Sequence, residues 1–409
     1  MTNVVVNNKH VKQINRIKVL DLIRVQEGIS RKELSDATGL TPAAITGIVK
    51  ELMDLGFVGE RGLGSSHGGR KPVSLALNSG VAHVIGVEIS HGSISYGFTD
   101  MKSMPDNIKH VCCDTASPDK VVDLLNKLIK SLLSEQTNKR FLGIGLAVSG
   151  IVDGARGQVI RSVNLGQLWN NYNLAECLAK KVSLPVFVDN NSNVAVMAEK
   201  IFDLGVAGSS MAYMNIGDGV SVGVLNNDLL VTGYKGFAGE LGHMMVLPEG
   251  GLLCNCGNRG CLETICGLPA ILRKLDMEMA FVQDDDPAKQ YWLKNGINGV
   301  EDLVKLAELD SEYMQRIFRY ISEHVAIGIS FIINMHNPEV VILGGKLIAL
   351  LELFLPDIVR RAGNHTFPEV FEATKITISS MRMDASVSGA CALALQEVLS
   401  LSNSSLFER

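Results

Sequence analysis

The chain has 409 residues, enough for two or three domains that each bury a core, so a single small module is excluded. Hydrophobic residues make up 46%, charged residues 20% and aromatics 5%, a balance that excludes disordered, collagenous and coiled-coil chains. Charge is split: residues 1–80 hold 11 Lys and Arg against 7 Asp and Glu, a net of +4, so the rest carries −9 of the total −5. A basic end on an acidic body fits a polyanionic partner for the first segment, although a solvated surface would give the same count. No stretch approaches the roughly 18–20 apolar residues of a membrane span, and residues 1–10 lack the apolar core of a signal peptide. The expectation is a cytoplasmic chain with no membrane insertion and reduced thiols.

In chain order, Val11, Ile14, Ile17, Leu20, Leu22 and Ile23 recur at near-helical spacing and predict an amphipathic helix ending around Glu27-Gly28. Ser30 and Glu33 form a capping-box pair that opens a second helix through Ala37, and Gly39 breaks it. Thr41-Pro42 supplies an N-cap and a first-turn proline for a third helix over 42–55. Its stripe Ile45, Ile48, Val49 and Leu52 faces inward. The opposite face is small and weakly polar, so Thr41, Ala43, Ala44, Thr46, Gly47 and Lys50 are the expected DNA contacts of a major-groove helix. Strands at 57–61 and 73–77 flank Gly62–Pro72, whose Arg70 and Lys71 are candidates for a wing in the minor groove. Taken alone, that segment also reads as a linker with a solvated basic pair. Together these elements predict a winged helix-turn-helix over residues 1–80.

Beyond Gly80, short apolar strands alternate with helices, as in an α/β domain. Residues 84–97 and 213–224 both read as strand, glycine turn and strand, so an internal repeat predicts a two-lobed body with a ligand cleft. The predicted lobes are 81–191 plus 385–409, and 192–384. Cys254, Cys256 and Cys261 lie within eight residues, and with His243 they offer the four donors of a closed tetrahedral structural zinc site, one zinc per chain. The long amphipathic stretch 313–335 reads as core or subunit interface.

The order of winged helix-turn-helix, glycine hairpins, Asn-rich strand end, Gly239-Glu240-Leu241-Gly242-His243, Cys254-Asn255-Cys256-Gly257-Asn258-Arg259-Gly260-Cys261-Leu262-Glu263 and Val341-Ile342-Leu343-Gly344-Gly345 resembles the ROK family of sugar-responsive repressors and sugar kinases. The resemblance covers essentially the whole chain. It implies an actin-like (sugar kinase, RNase H-like) body, with Asn190, Asn191, Glu240, His243 and Glu263 as sugar-binding residues. Amides and carboxylates suit sugar hydroxyls, which both donate and accept; on spacing alone Glu240 and Glu263 would pass as surface carboxylates.

Three departures from the family's kinases are legible. Kinases carry an Asp base where this chain has Asn191, the first hairpin has Glu88-Ile89-Ser90-His91-Gly92, and the second has Gly217-Asp218-Gly219 with a carboxylate towards the phosphate site. The expectation is a sugar-responsive transcriptional repressor without catalysis, binding operator DNA as a homodimer or homotetramer with a sugar or sugar-phosphate effector. The alternatives are an active sugar kinase with an added DNA-binding domain, and a repressor whose effector is a sugar-transport protein.

Overall fold

The computed structural model describes residues 8–63, 73–202 and 208–400. Arg70 and Lys71, two of the expected DNA contacts, lie outside the described residues.

The chain opens with helices α1 (Asn8–Val25), α2 (Arg31–Thr38) and α3 (Pro42–Asp54), followed by the antiparallel strands β1 (Val58–Leu63) and β2 (Val73–Leu77). Both predicted starts are made by the expected caps. The Glu33 N–H donates to Ser30 Oγ at 3.3 Å while the Ser30 N–H donates to Glu33 Oε2 at 2.8 Å, and the Ala44 N–H donates to Thr41 Oγ1 at 3.3 Å. Ile45, Ile48, Val49 and Leu52 are buried, and Thr41, Ala43, Ala44, Thr46, Gly47 and Lys50 are exposed. The helix-turn-helix, its wing strands and the expected exposed face are therefore present.

The first large sheet takes β3 (His83–Ser90), β4 (Ser93–Thr99) and β5 (Asp106–Cys112), then α4 (Pro118–Glu135), β6 (Phe141–Val148), the hairpin β7 (Ile151–Asp153) and β8 (Gln158–Arg161), α5 (Leu174–Ala179), and β9 (Val186–Asn190). Its strand order is β5-β4-β3-β6-β9, antiparallel across β5-β4-β3 and parallel across β3-β6-β9. After α6 (Asn191–Phe202), the second sheet begins with β10 (Met211–Ile216), β11 (Val220–Asn226) and β12 (Leu229–Leu230). Helices α7 (Glu263–Cys266), α8 (Leu268–Met279), α9 (Pro287–Asn295), α10 (Val300–Ala307) and α11 (Glu312–His336) follow, then β13 (Val340–Gly344), α12 (Ile348–Asn364), α13 (Pro368–Glu372), β14 (Lys375–Ile378) and α14 (Ala385–Ser400).

The second sheet runs β12-β11-β10-β13-β14, again three antiparallel strands followed by two parallel additions. The hairpins β3-β4 and β10-β11 are the two repeats seen in the sequence, and they occupy equivalent places. Helix α11, read as core or interface, is core: Ile317, Phe318, Ile321, Val325 and Ile329 are buried with the β10 and β13 side chains.

Helices α6 and α14 join the two sheets. α14 packs on β3 and β6, α6 packs on β10 and β11, and the two helices pack on each other. Small residues permit this. A Cβ on Gly145 would stand 1.8 Å from the Ala390 carbonyl oxygen, so only glycine lets α14 lie this close to β6. The DNA-binding module is not a loose appendage either, because Val19, Leu20 and Ile23 of α1 share one apolar cluster with Val84, Leu142 and the α14 residues Leu395 and Val398. Each such side chain contributes about 1.5–3 kcal/mol when fully buried.

Candidate functional site

Asn190, Asn191, Glu240, His243 and Glu263 come from three separate stretches and line one cavity of about 650 Å³, open mouth included. Asn190 ends β9, and its amide bonds the backbone twice: Nδ2 donates to the Gly150 carbonyl at 2.7 Å, and Oδ1 accepts the Ser192 N–H at 2.8 Å, capping α6, which leaves one N–H and one lone pair. Asn191 donates to Ser149 Oγ at 3.3 Å from the first turn of α6. Glu263 starts α7 and accepts the Val220 N–H at 3.1 Å. Burial holds the carboxyls of Glu240 and Glu263 above the usual carboxylate range, while the nearby His243 pulls both the other way.

His243 ties this cavity to the thiols. Its Nδ1 lies 3.6 Å from Cys254 Sγ, and its Nε2 lies 3.6 Å from Glu240 Oε2 on the other side. The four donors of His243, Cys254, Cys256 and Cys261 lie within 4.8 Å of one another, and Cys256 Sγ is 3.7 Å from Cys261 Sγ. A tetrahedral ion with bonds of about 2.3 Å to sulfur and about 2.0–2.1 Å to nitrogen requires edges of about 3.8 Å between sulfurs and about 3.5 Å from sulfur to nitrogen. The donor set fits a metal ion.

The loop is shaped for it. The Cys254 N–H donates to the Asn258 carbonyl at 2.7 Å, and Gly260, at φ +70°, passes so near Leu247 that a Cβ would meet its carbonyl oxygen at 1.8 Å. Burial pushes the Cys261 thiol up to about 12, so metal binding has to displace its proton.

A second cavity of about 770 Å³, mouth included, adjoins the first and shares Ser149, Asn191, Asn215 and Gly219 with it. All three departures from the kinase pattern line it, Asn191 among the residues shared with the first cavity. Asp218, in the turn between β10 and β11, is ion-paired with Lys346, just beyond β13. Glu88 is half-buried in the cavity wall, its carboxyl raised by desolvation and hydrogen-bonded to Ser386 and Ser90.

Several residues of these cavities escaped the sequence reading. Asn215 carried a signal, a polar residue in an otherwise apolar strand. Ser149, Arg161 and Asn164 carried none, because they stand in or beside irregular loops and reach the first cavity only through the β7-β8 hairpin. Lys346 was also missed.

A winged helix-turn-helix fused to a two-sheet, sugar-kinase-like body defines a class of DNA-binding proteins built on a kinase scaffold. A model of the ROK family matches residues 84–397 and one described as winged helix-turn-helix DNA-binding matches residues 13–58, so the chain belongs to the ROK family. It is 30% identical over 408 residues to a xylose repressor of Caldicellulosiruptor bescii, covering 96% of this chain and 98% of that one. Among solved structures it is similar to a ROK family transcriptional regulator, a homologue of the Escherichia coli MLC protein, with a TM-score of 0.81 at 24% identity over 96% of this chain and 97% of that one. A ROK glucokinase of Streptomyces griseus, solved with glucose and AMPPNP, matches with a TM-score of 0.65 at 24% identity, covering 76% of this chain and 99% of that one. No helix among the described residues is long and apolar enough to cross a membrane.

Proposed function

We propose that the protein is a sugar-responsive transcriptional regulator, a repressor of carbohydrate genes, whose kinase-like body binds a sugar without phosphorylating it. One observation carries the reading: helix α6 has the cavity at one end and the DNA-binding module at the other. Its N-terminal Asn191 lines the cavity, and Arg24 of α1 donates to the carbonyl of Ile201 in its last turn. A sugar that draws the two sheets together around α6 and α14 shifts the seat of α1, by no more than its differential affinity for the two arrangements.

In this reading Asn190, Asn191, Glu240, His243 and Glu263 hydrogen-bond the sugar, and Asn190 also shapes the turn that presents Asn191. His243, Cys254, Cys256 and Cys261 hold a structural zinc ion, two of whose edges they already match and which leaves no open position for catalysis. Zinc fixes the His243 ring, so the pocket depends on it. Thr41, Ala43, Ala44, Thr46, Gly47 and Lys50 meet the major groove, and the sequence offers Arg70 and Lys71 as further DNA contacts. A two-fold operator calls for a homodimer or homotetramer, and Met277 at 66%, Phe281 at 90% and Leu293 at 66% exposure supply apolar surface for assembly. Its place of work is the cytoplasm, where the DNA is.

The test is calorimetric titration of the zinc-loaded protein with free sugars, N-acetylated sugars and sugar phosphates, with and without ATP, alongside release of a duplex selected by the protein. The expected result is one sugar class that binds, releases the duplex and is indifferent to ATP. Continuing heat with ATP turnover means a kinase. A protein that binds no sugar has its effector elsewhere, and a sugar-transport protein is then the next candidate.

A further inference from the structure

We infer that the second cavity receives the second ring of the effector, which is therefore an uncharged glycoside of at least two sugar units. This rests on reading the first cavity as the sugar site. The two cavities adjoin, with Ser149, Asn191, Asn215 and Gly219 lining both, so a ligand seated against Asn191 in the first lies against a wall of the second.

The lining of the second cavity selects what can extend there. Its walls carry the hydroxyls of Ser90, Ser93, Ser95 and Ser386 and the amide of Asn215. Such groups both donate and accept, which is what a pyranose ring offers in return. The basic groups are answered by the protein itself. Lys346 pairs with Asp218, Arg382 donates to both Glu352 carboxylate oxygens at 3.1 and 3.4 Å, and His110 Nδ1 lies 2.9 Å from Ser95 Oγ. A nucleotide brings three or four negative charges and needs cations or backbone N–H groups free to meet them. Here it would have to displace Asp218 from Lys346 and lie close to Glu88. A neutral ring disturbs neither.

The test takes the monosaccharide that binds, its homodisaccharides of each anomer and linkage, and AMPPNP as a phosphate-chain probe. By calorimetry on the wild-type protein, one homodisaccharide should bind at least tenfold more tightly than the monosaccharide, and AMPPNP should neither bind nor compete. Ser93→Leu, which fills the second cavity from the partly exposed start of β4, should remove the disaccharide's advantage and leave monosaccharide affinity within twofold. Ser386→Val is a second route to the same end from α14, should one variant fail to fold. Equal affinity for one and two rings, an advantage that survives both folded variants, or competition by AMPPNP overturns the inference while leaving the first site a sugar site. Absence of binding by any sugar, of either length, defeats the underlying reading and the inference with it.

Discussion

His243 turns one ring nitrogen to Cys254 and the other to Glu240, so a single imidazole decides both whether an ion is held and how the cavity is lined. A closed four-donor site tolerates no missing thiolate. Cys261→Ser is expected to lower the metal content from one ion per chain to well below half by elemental analysis, and to weaken sugar binding at least tenfold. Retained sugar affinity in the metal-free variant would separate the ion from the pocket. Asn191 bears on a different question. If its amide alone silenced the kinase chemistry, Asn191→Asp would restore a base near Ser149. We expect no sugar-dependent ADP release from this variant, because Lys346 and Asp218 still occupy each other and Glu88 still lines the neighbouring cavity. Turnover approaching the roughly 1–100 s⁻¹ usual for kinases would show that one side chain had been the whole obstacle.

At the scale of elements, α6 and α14 are the parts with two-sided duties. Each is held by close backbone approach: a Cβ on Gly389 of α14 would meet the Val194 carbonyl oxygen of α6 at 2.1 Å, so neither helix slides independently of the other. The far end of α6 is gripped by Arg24, itself oriented by Asp21 with contacts of 2.7 and 2.9 Å. Arg24→Ala removes the grip without touching the cavity. It should leave sugar affinity within twofold and reduce sugar-induced release of DNA by at least fivefold, roughly 1 kcal/mol of coupling, measured by fluorescence anisotropy of a bound duplex with and without sugar. Undiminished release would mean that the signal travels through α14 and the shared apolar cluster instead.

For the whole molecule, that cluster makes a thermodynamic statement. Val19, Leu20 and Ile23 of the first helix are buried with Leu395 and Val398 of the last, and Arg16 donates to the Leu399 carbonyl. A module tethered only by its chain would melt separately. The full chain is expected instead to show the DNA-binding module and the first sheet unfolding in one calorimetric transition. Leu395→Ala should lower its midpoint and cost about 2–5 kcal/mol. Two transitions, with only the later one moved by Leu395→Ala, would assign α14 to the body alone.

The sequence by itself determined what depends on neighbours along the chain. Ser30 with Glu33, and Thr41 with Pro42, set helix starts through local hydrogen bonds, and the inward stripe of α3 follows from a 3.6-residue period. Two similar glycine hairpins implied two lobes, and three cysteines in eight residues implied a metal loop, because both signals are short-range. The sugar-pocket residues were legible only through resemblance to the ROK family, since nothing in the spacing of Glu240 and Glu263 separates them from surface carboxylates. Only the tertiary structure decided that Asn190 serves the backbone, that Lys346 answers Asp218 from 128 residues away, and that Arg24 reaches Ile201 across 177. Such pairings follow from how two sheets and two helices close on one another, and that geometry has no periodicity for a linear pattern to carry.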